Sequence, residues 1–180
     1  MLDTIKTRRS IRKFTEEDVD AAAVSRIIEM GTWAPSGHNN QPWRFLVIRD
    51  PALKEALSGL TSSGRIIREA PVSIAVFLDR DASYHRVKDI QAMGACIQNM
   101  LLAIHHMGLG GVWIGGILDN REAAERILGV PDACELMAVV SLGHPAQKKG
   151  PGSRAPLDRV ILPAPQRAGE AGKEATADRG

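Results

Sequence analysis

The stretch "PSGHNNQPW", Pro35 to Trp43, sets six residues between two prolines, and four of them, Ser36, Asn39, Asn40 and Gln41, both donate and accept hydrogen bonds. Pro, Gly and Asn in this density mark a turn, and taken alone the segment reads as a surface loop. It also has the side chains that recognition of a heteroaromatic ring edge requires. His38 within it reads as an exposed histidine rather than an acid or base.

Working outward, the turn separates two periodic regions. Before it, Asp3 can cap a short helix, and "TEED" from Thr15 resembles a capping box. Val19, Ala22, Ala23, Ile27 and Met30 follow at helical spacing, so a helix is expected from Thr15 to about Met30. After the turn, "RFLVIR" (Arg44 to Arg49) reads as a strand, Pro51 opens a helix, and Pro71 ends another. "VSIAVFL" (Val72 to Leu78) reads as a buried strand. Tyr84 to Met107 is the longest helix, with Ile90, Met93, Gly94, Ile97, Met100, Leu101 and Ile104 as a wide apolar stripe and Gly108 as its stop. "GGVWIGGI" (Gly110 to Ile117) is a strand ending in two glycines, a helix capped by Asp119 runs to Leu128, and "ELMAVVSLG" (Glu135 to Gly143) is the last strand. Periodicity gives mixed α and β and does not separate a doubly wound sheet from α+β.

The chain has 180 residues, 44% of them hydrophobic, which suits one domain with a sizeable core. Lys and Arg number 23 against 21 Asp and Glu, a net charge of +2, too balanced for a surface that coats nucleic acid. Cys96 and Cys134 form no CxxC and no zinc spacing, and they read as buried free thiols in a reducing cytoplasm. No stretch has signal-peptide character or the roughly 20 apolar residues of a membrane span. The expectation is a cytoplasmic protein with no nucleic-acid or membrane partner and no metal. Residues 163–180 carry no apolar side chain larger than alanine, so residues 1–162 are expected as the domain and 163–180 as a disordered tail.

Three further stretches bear on chemistry. "RRSIRKF", Arg8 to Phe14, holds four cations in its first six residues, with Ser10 as a hydroxyl donor. A solvated basic face, an RNA contact and a site for a phosphate-bearing cofactor all fit it, the last because guanidinium forks match phosphate oxygens. "GVWIGG" (Gly111 to Gly116) lets a ligand approach backbone N–H groups, although it is no GxGxxG fingerprint. Trp113 within it reads as core. "KKGPGSRAP" (Lys148 to Pro156) supplies cations after the last strand.

In their order, RRSxR, then PSxxNxQPW, then a long helix running into GLGxxWIGG, then a late loop arginine, these stretches resemble the nitroreductase family of FMN-dependent, NAD(P)H-oxidising enzymes, over about residues 4–160. The resemblance implies an α+β fold with a central, mostly antiparallel sheet flanked by helices, in an intertwined homodimer with two FMN sites at the subunit interface. It implies that Arg8, Arg9, Ser10 and Arg12 hold the flavin, with Arg8 and Ser10 toward the phosphate and ribityl chain and Arg12 at the pyrimidine edge. Pro35, Ser36, Gly37 and Asn39 would reach the flavin from the partner subunit, while Gln41 and Trp43 shape the loop and the interface. Ile114, Gly115 and Gly116 would lie against the isoalloxazine, a backbone N–H there donating to N5. Arg154 matches a late phosphate-binding arginine. Gly152 stands where family members often have lysine, and Lys148 or Lys149 is the candidate replacement. No catalytic acid or base is implied. The implied reaction is ping-pong hydride transfer from NADH or NADPH, via FMN, to nitroaromatic, quinone-like or related small acceptors. Tyr84 or His85 is a candidate wall of the acceptor pocket. The alternatives are dehalogenation, ring dehydrogenation, flavin breakdown, or flavin binding without turnover.

Overall fold

The computed structural model describes residues 2–163, which fall into two units divided after Gly150. The first unit contains a four-stranded sheet in the order β1–β2–β4–β3, built from β1 (Trp43–Ile48), β2 (Val72–Asp79), β3 (Gly110–Ile114) and β4 (Cys134–Gly143). Every pairing is antiparallel, which settles the fold as α+β and excludes the doubly wound alternative. The helices are α1 (Leu2–Thr7), α2 (Ala21–Thr32), α3 (Pro51–Ser58), α4 (Gly64–Glu69), α5 (Arg86–His106) and α6 (Arg121–Leu128).

The sheet is covered on both faces because β2 and β4 are apolar on both. Val72, Ile74, Val76 and Leu78 of β2 join Ala138, Val140 and Leu142 of β4 in a core with Val24 and Ile27 of α2 and Met93, Ile97, Met100 and Ile104 of α5. Ala75 and Phe77 face the other way, against Leu57 of α3, Ile66 and Ile67 of α4 and Ala124 of α6. The pairing shifts between Val76 and Phe77, so that Ala138 and Leu136 are their successive partners and Met137 is bulged out. That bulge lets Leu136 share a face with Val139, against strict alternation.

The helix expected from Thr15 begins at Ala21. The Thr15 N–H instead donates to the His144 carbonyl (2.9 Å), and Phe14 bridges Pro145. The capping-box pattern is present, but a pairing partner distant in sequence takes the segment as extended chain. The strand expected to reach Ile117 ends at Ile114, and Gly116–Asn120 form a 3-10 turn ahead of α6, which therefore begins two residues beyond Asp119. In the second unit a 3-10 turn spans Leu157–Arg159, and the expected tail lies, beyond Pro163, outside the described residues.

Candidate functional site

The basic stretch is a strap along the sheet edge. Ser10 bridges Gly111 of β3 in the parallel sense, the Ile11 N–H donates to the Gly111 carbonyl (3.1 Å), and the Ala146 N–H donates to the Lys13 carbonyl (3.0 Å). The approach is close: a Cβ on Gly110 would lie 2.7 Å from Ile11 Cβ. Arg8, Arg9 and Ser10 are half-buried and Arg12 is exposed. The Arg9 guanidinium is engaged by the chain itself, donating through Nη1 to the Lys6 and Arg8 carbonyls (both 2.7 Å) and through Nε to the Gly150 carbonyl (3.2 Å). Arg9 thus shapes the strap. Beside it the Thr7 hydroxyl meets His105 Nε2 at 2.9 Å. Burial, then the charges of Arg8, Arg9 and His106, hold the His105 imidazole below its usual value.

At the far end of β3, Ile114 is buried while Gly115 and Gly116 are exposed. Gly111 and Gly115 are four residues apart, about 13 Å of extended chain. One strand edge therefore presents cations at one end and open backbone at the other. Trp113, expected in the core, is 40% exposed beside Gly94 and Gly115. Strand alternation explains this, since Val112 and Ile114 take the buried face. Arg154 lies in the second unit, where its Nη1 donates to the Ser153 carbonyl (2.7 Å).

The amide-rich turn is strained. His38, Asn39 and Gln41 all have positive φ (53°, 55° and 47°), which is rare for non-glycine residues and clusters at functional sites. Ser36 Oγ accepts the Gln41 N–H (3.0 Å) and closes the turn. Trp43 is buried at the start of β1. The anchor is Asn40, whose Nδ2 donates to the Ala82 carbonyl (3.0 Å) and to Asp89 Oδ1 (2.9 Å). Asp89, fully buried in the first turn of α5, also accepts from the Ser83 hydroxyl (2.6 Å) and the N–H groups of Tyr84 and His85 (3.1 and 3.0 Å). Burial alone would raise its carboxyl; the bonds from Ser83, His85, Asn40 and Tyr84 outweigh it and hold the group below the ordinary carboxylate value. Sequence reasoning counts Asn40 only among the amides of the turn, not as its anchor, and passes over Asp89. Asp in the first turn of a long helix was the available signal, but its partners come from segments with no visible relation to it.

Asn40 and Asp89 fix the turn at the start of α5, while the strap meets His105 near its end. Asp89 and His105 are sixteen residues apart along the helix, about 24 Å at roughly 1.5 Å per residue. Within one chain, the Arg8–Arg12 and Pro35–Asn39 groups are held at opposite ends of α5.

The sequence profile of the Nitroreductase family matches residues 5–64 and 59–144. The chain belongs to the nitroreductase family. Among its relatives, an NADH dehydrogenase of Thermus thermophilus is 30% identical over 86% of this chain and 91% of its own. A crystal structure of a presumed nitroreductase in complex with FMN, from Desulfovibrio desulfuricans, is 48% identical with a TM-score of 0.86, covering 92% of this chain and 96% of that one. An NADPH:FMN oxidoreductase from Vibrio harveyi, complexed with NAD+, is 25% identical with a TM-score of 0.83, over 92% of this chain and 77% of that one. For this nitroreductase-family chain, the fold agrees with both structures over 92% of its length. Among the described residues no group of three or more His, Cys, Asp or Glu could hold a metal, and no helix is long and apolar enough to cross a membrane.

Proposed function

We propose that this chain is an FMN-dependent NAD(P)H oxidoreductase that reduces nitroaromatic, quinone-like or related small acceptors by a ping-pong mechanism. The observation that carries the reading is the strap bonded to β3, which sets guanidinium and hydroxyl donors at one end of a strand whose other end is exposed glycine backbone. That donor set fits a phosphate-bearing planar heterocycle. The family relatives that bind FMN or NAD+ support the choice.

Arg8 and Ser10 bind the phosphate and ribityl chain, and Arg9 keeps the strap in place. Arg12 puts a positive charge at the pyrimidine edge, which raises the reduction potential. Ile114, Gly115 and Gly116 form the floor under the ring, with backbone N–H groups as donors. Lys148 or Lys149, in place of the lysine absent at Gly152, completes the phosphate grip. FMN, when bound, supplies the hydride and electron chemistry, so the protein's part is to bind, orient and tune.

The separation along α5 supports a homodimer. A turn made of Pro35, Ser36, Gly37 and Asn39 stands about 24 Å of helix from the phosphate end of the site on its own strap, and in the homodimer it serves the flavin on a second copy. Exposed Trp33 (77%), Val87 (61%) and Ile90 (38%) near that end of the molecule are the apolar surface such a copy would cover. The test is a spectrum of purified protein. Flavin absorbance that bleaches on anaerobic addition of NADH or NADPH, with FMN released on denaturation, is the expected result. A colourless protein that takes up no added FMN overturns the reading.

A further inference from the structure

The side chains packed on the amide turn say what kind of acceptor the site takes. Tyr84, the single tyrosine of the chain, is 43% exposed. Its hydroxyl occupies the space left by Gly37, where any Cβ would lie 1.9 Å from that oxygen. The His38 ring, swung out by its positive φ, stands edge-on to the Tyr84 ring with centroids 4.9 Å apart at 74°. Lys88 Nζ lies 5.5 Å from the centre of the same ring. Beneath them, Asp89 locks Tyr84 and Asn40 to one carboxylate.

We propose that His38, Tyr84 and Lys88 form the acceptor-binding edge of the flavin site, and that this edge selects planar aromatic acceptors carrying an anionic group. The proposal rests on the flavin reading above, because it is the amide turn that brings the edge to the cofactor. The charge balance favours an anion. Arg86 is engaged by Glu135 (2.5 and 2.8 Å), and the Asp89 charge is buried and already surrounded by donors. His85 is exposed alongside, and the N-terminus of the 21-residue α5 adds its positive end. Asp81, on the preceding loop, is an opposing charge at the surface. An aromatic acid packs its ring on the open part of Tyr84 and His38 and directs its carboxylate to Lys88. A neutral acceptor keeps only the ring contact.

The test compares 4-nitrobenzoate with nitrobenzene on the FMN-loaded protein. Lys88→Gln is expected to raise the ratio of their KM values, charged over neutral, by about fivefold, the factor that corresponds to an exposed ion pair. Lys88→Arg should restore the ratio. Independently, protein labelled with 3-fluorotyrosine gives one fluorine resonance, from Tyr84, which 4-nitrobenzoate should shift in the loaded wild type. An unchanged ratio or an unmoved resonance in a protein that binds FMN and oxidises NADH overturns the edge and leaves the flavin reading standing. Failure to bind FMN overturns both.

Discussion

The Asp89 carboxylate accepts four hydrogen bonds from Asn40, Ser83, Tyr84 and His85, so Asp89→Ala strands several buried donors at once. It should lower stability by about 3 kcal/mol, measured by urea unfolding. Its pH dependence has a definite sign. A carboxyl held below its ordinary value stabilises the fold above about pH 4, and that stabilisation is lost as pH falls through the folded-state value. In Asp89→Asn the acid limb of the unfolding curve should therefore flatten. His105 also disfavours acid, for a different reason. Its imidazole is held below the usual value, so the unfolded chain takes up the proton first, and stability declines as pH drops below about 6.5. Thermal midpoints between pH 7.5 and 5.5 should fall less in His105→Gln than in wild type. Neither role was legible in the sequence, where Asp89 is one acid near a helix start and His105 one of two histidines near its end. Their behaviour is set by Arg8, Arg9, Ser83 and Asn40, which only folding brings near.

Among the elements, the strap and β3 work as one unit. Gly110→Ala would drive a methyl into Ile11. A destabilisation of about 1–3 kcal/mol is expected, together with weaker FMN retention, read by urea unfolding and by flavin titration of the apoprotein. Gly59→Ala meets only the Ala56 carbonyl at 3.8 Å and is the control for glycine replacement as such. The strands and long helix were legible because their signals are local: an unbroken apolar run for Val72–Leu78, a stripe at helical spacing for α5. The strap was not. Its TEED pattern is a sound helix start by local rules, yet Phe14 and Thr15 pair with Pro145 and His144, and non-local pairing overrides propensity. Trp113 is a miss of the same kind, since Val112 and Ile114 take the face of β3 that α3, α4 and α6 cover, and Trp113 is left on the other face beside Gly94 of α5.

For the molecule as a whole, the motif order identified the family, while order along a chain carries no distances. The expectation that the amide turn serves the partner's flavin came from the resemblance, and the length of α5 gives it a physical basis. Sedimentation should show a dimer. Trp33→Glu, at an exposed apolar position at the end of α2, should shift it toward monomer and lower FMN occupancy in parallel. A monomeric variant with full flavin content would mean that one chain suffices.

The strap has one more consequence. Peeling Ser10 and Ile11 from Gly111 would scatter the guanidinium groups and also bare the hydrogen-bonding rim of β3, onto which another polypeptide can add. Flavin loss and clumping would then share a first step, and keeping the protein saturated with FMN during purification would be the simplest guard against insoluble material.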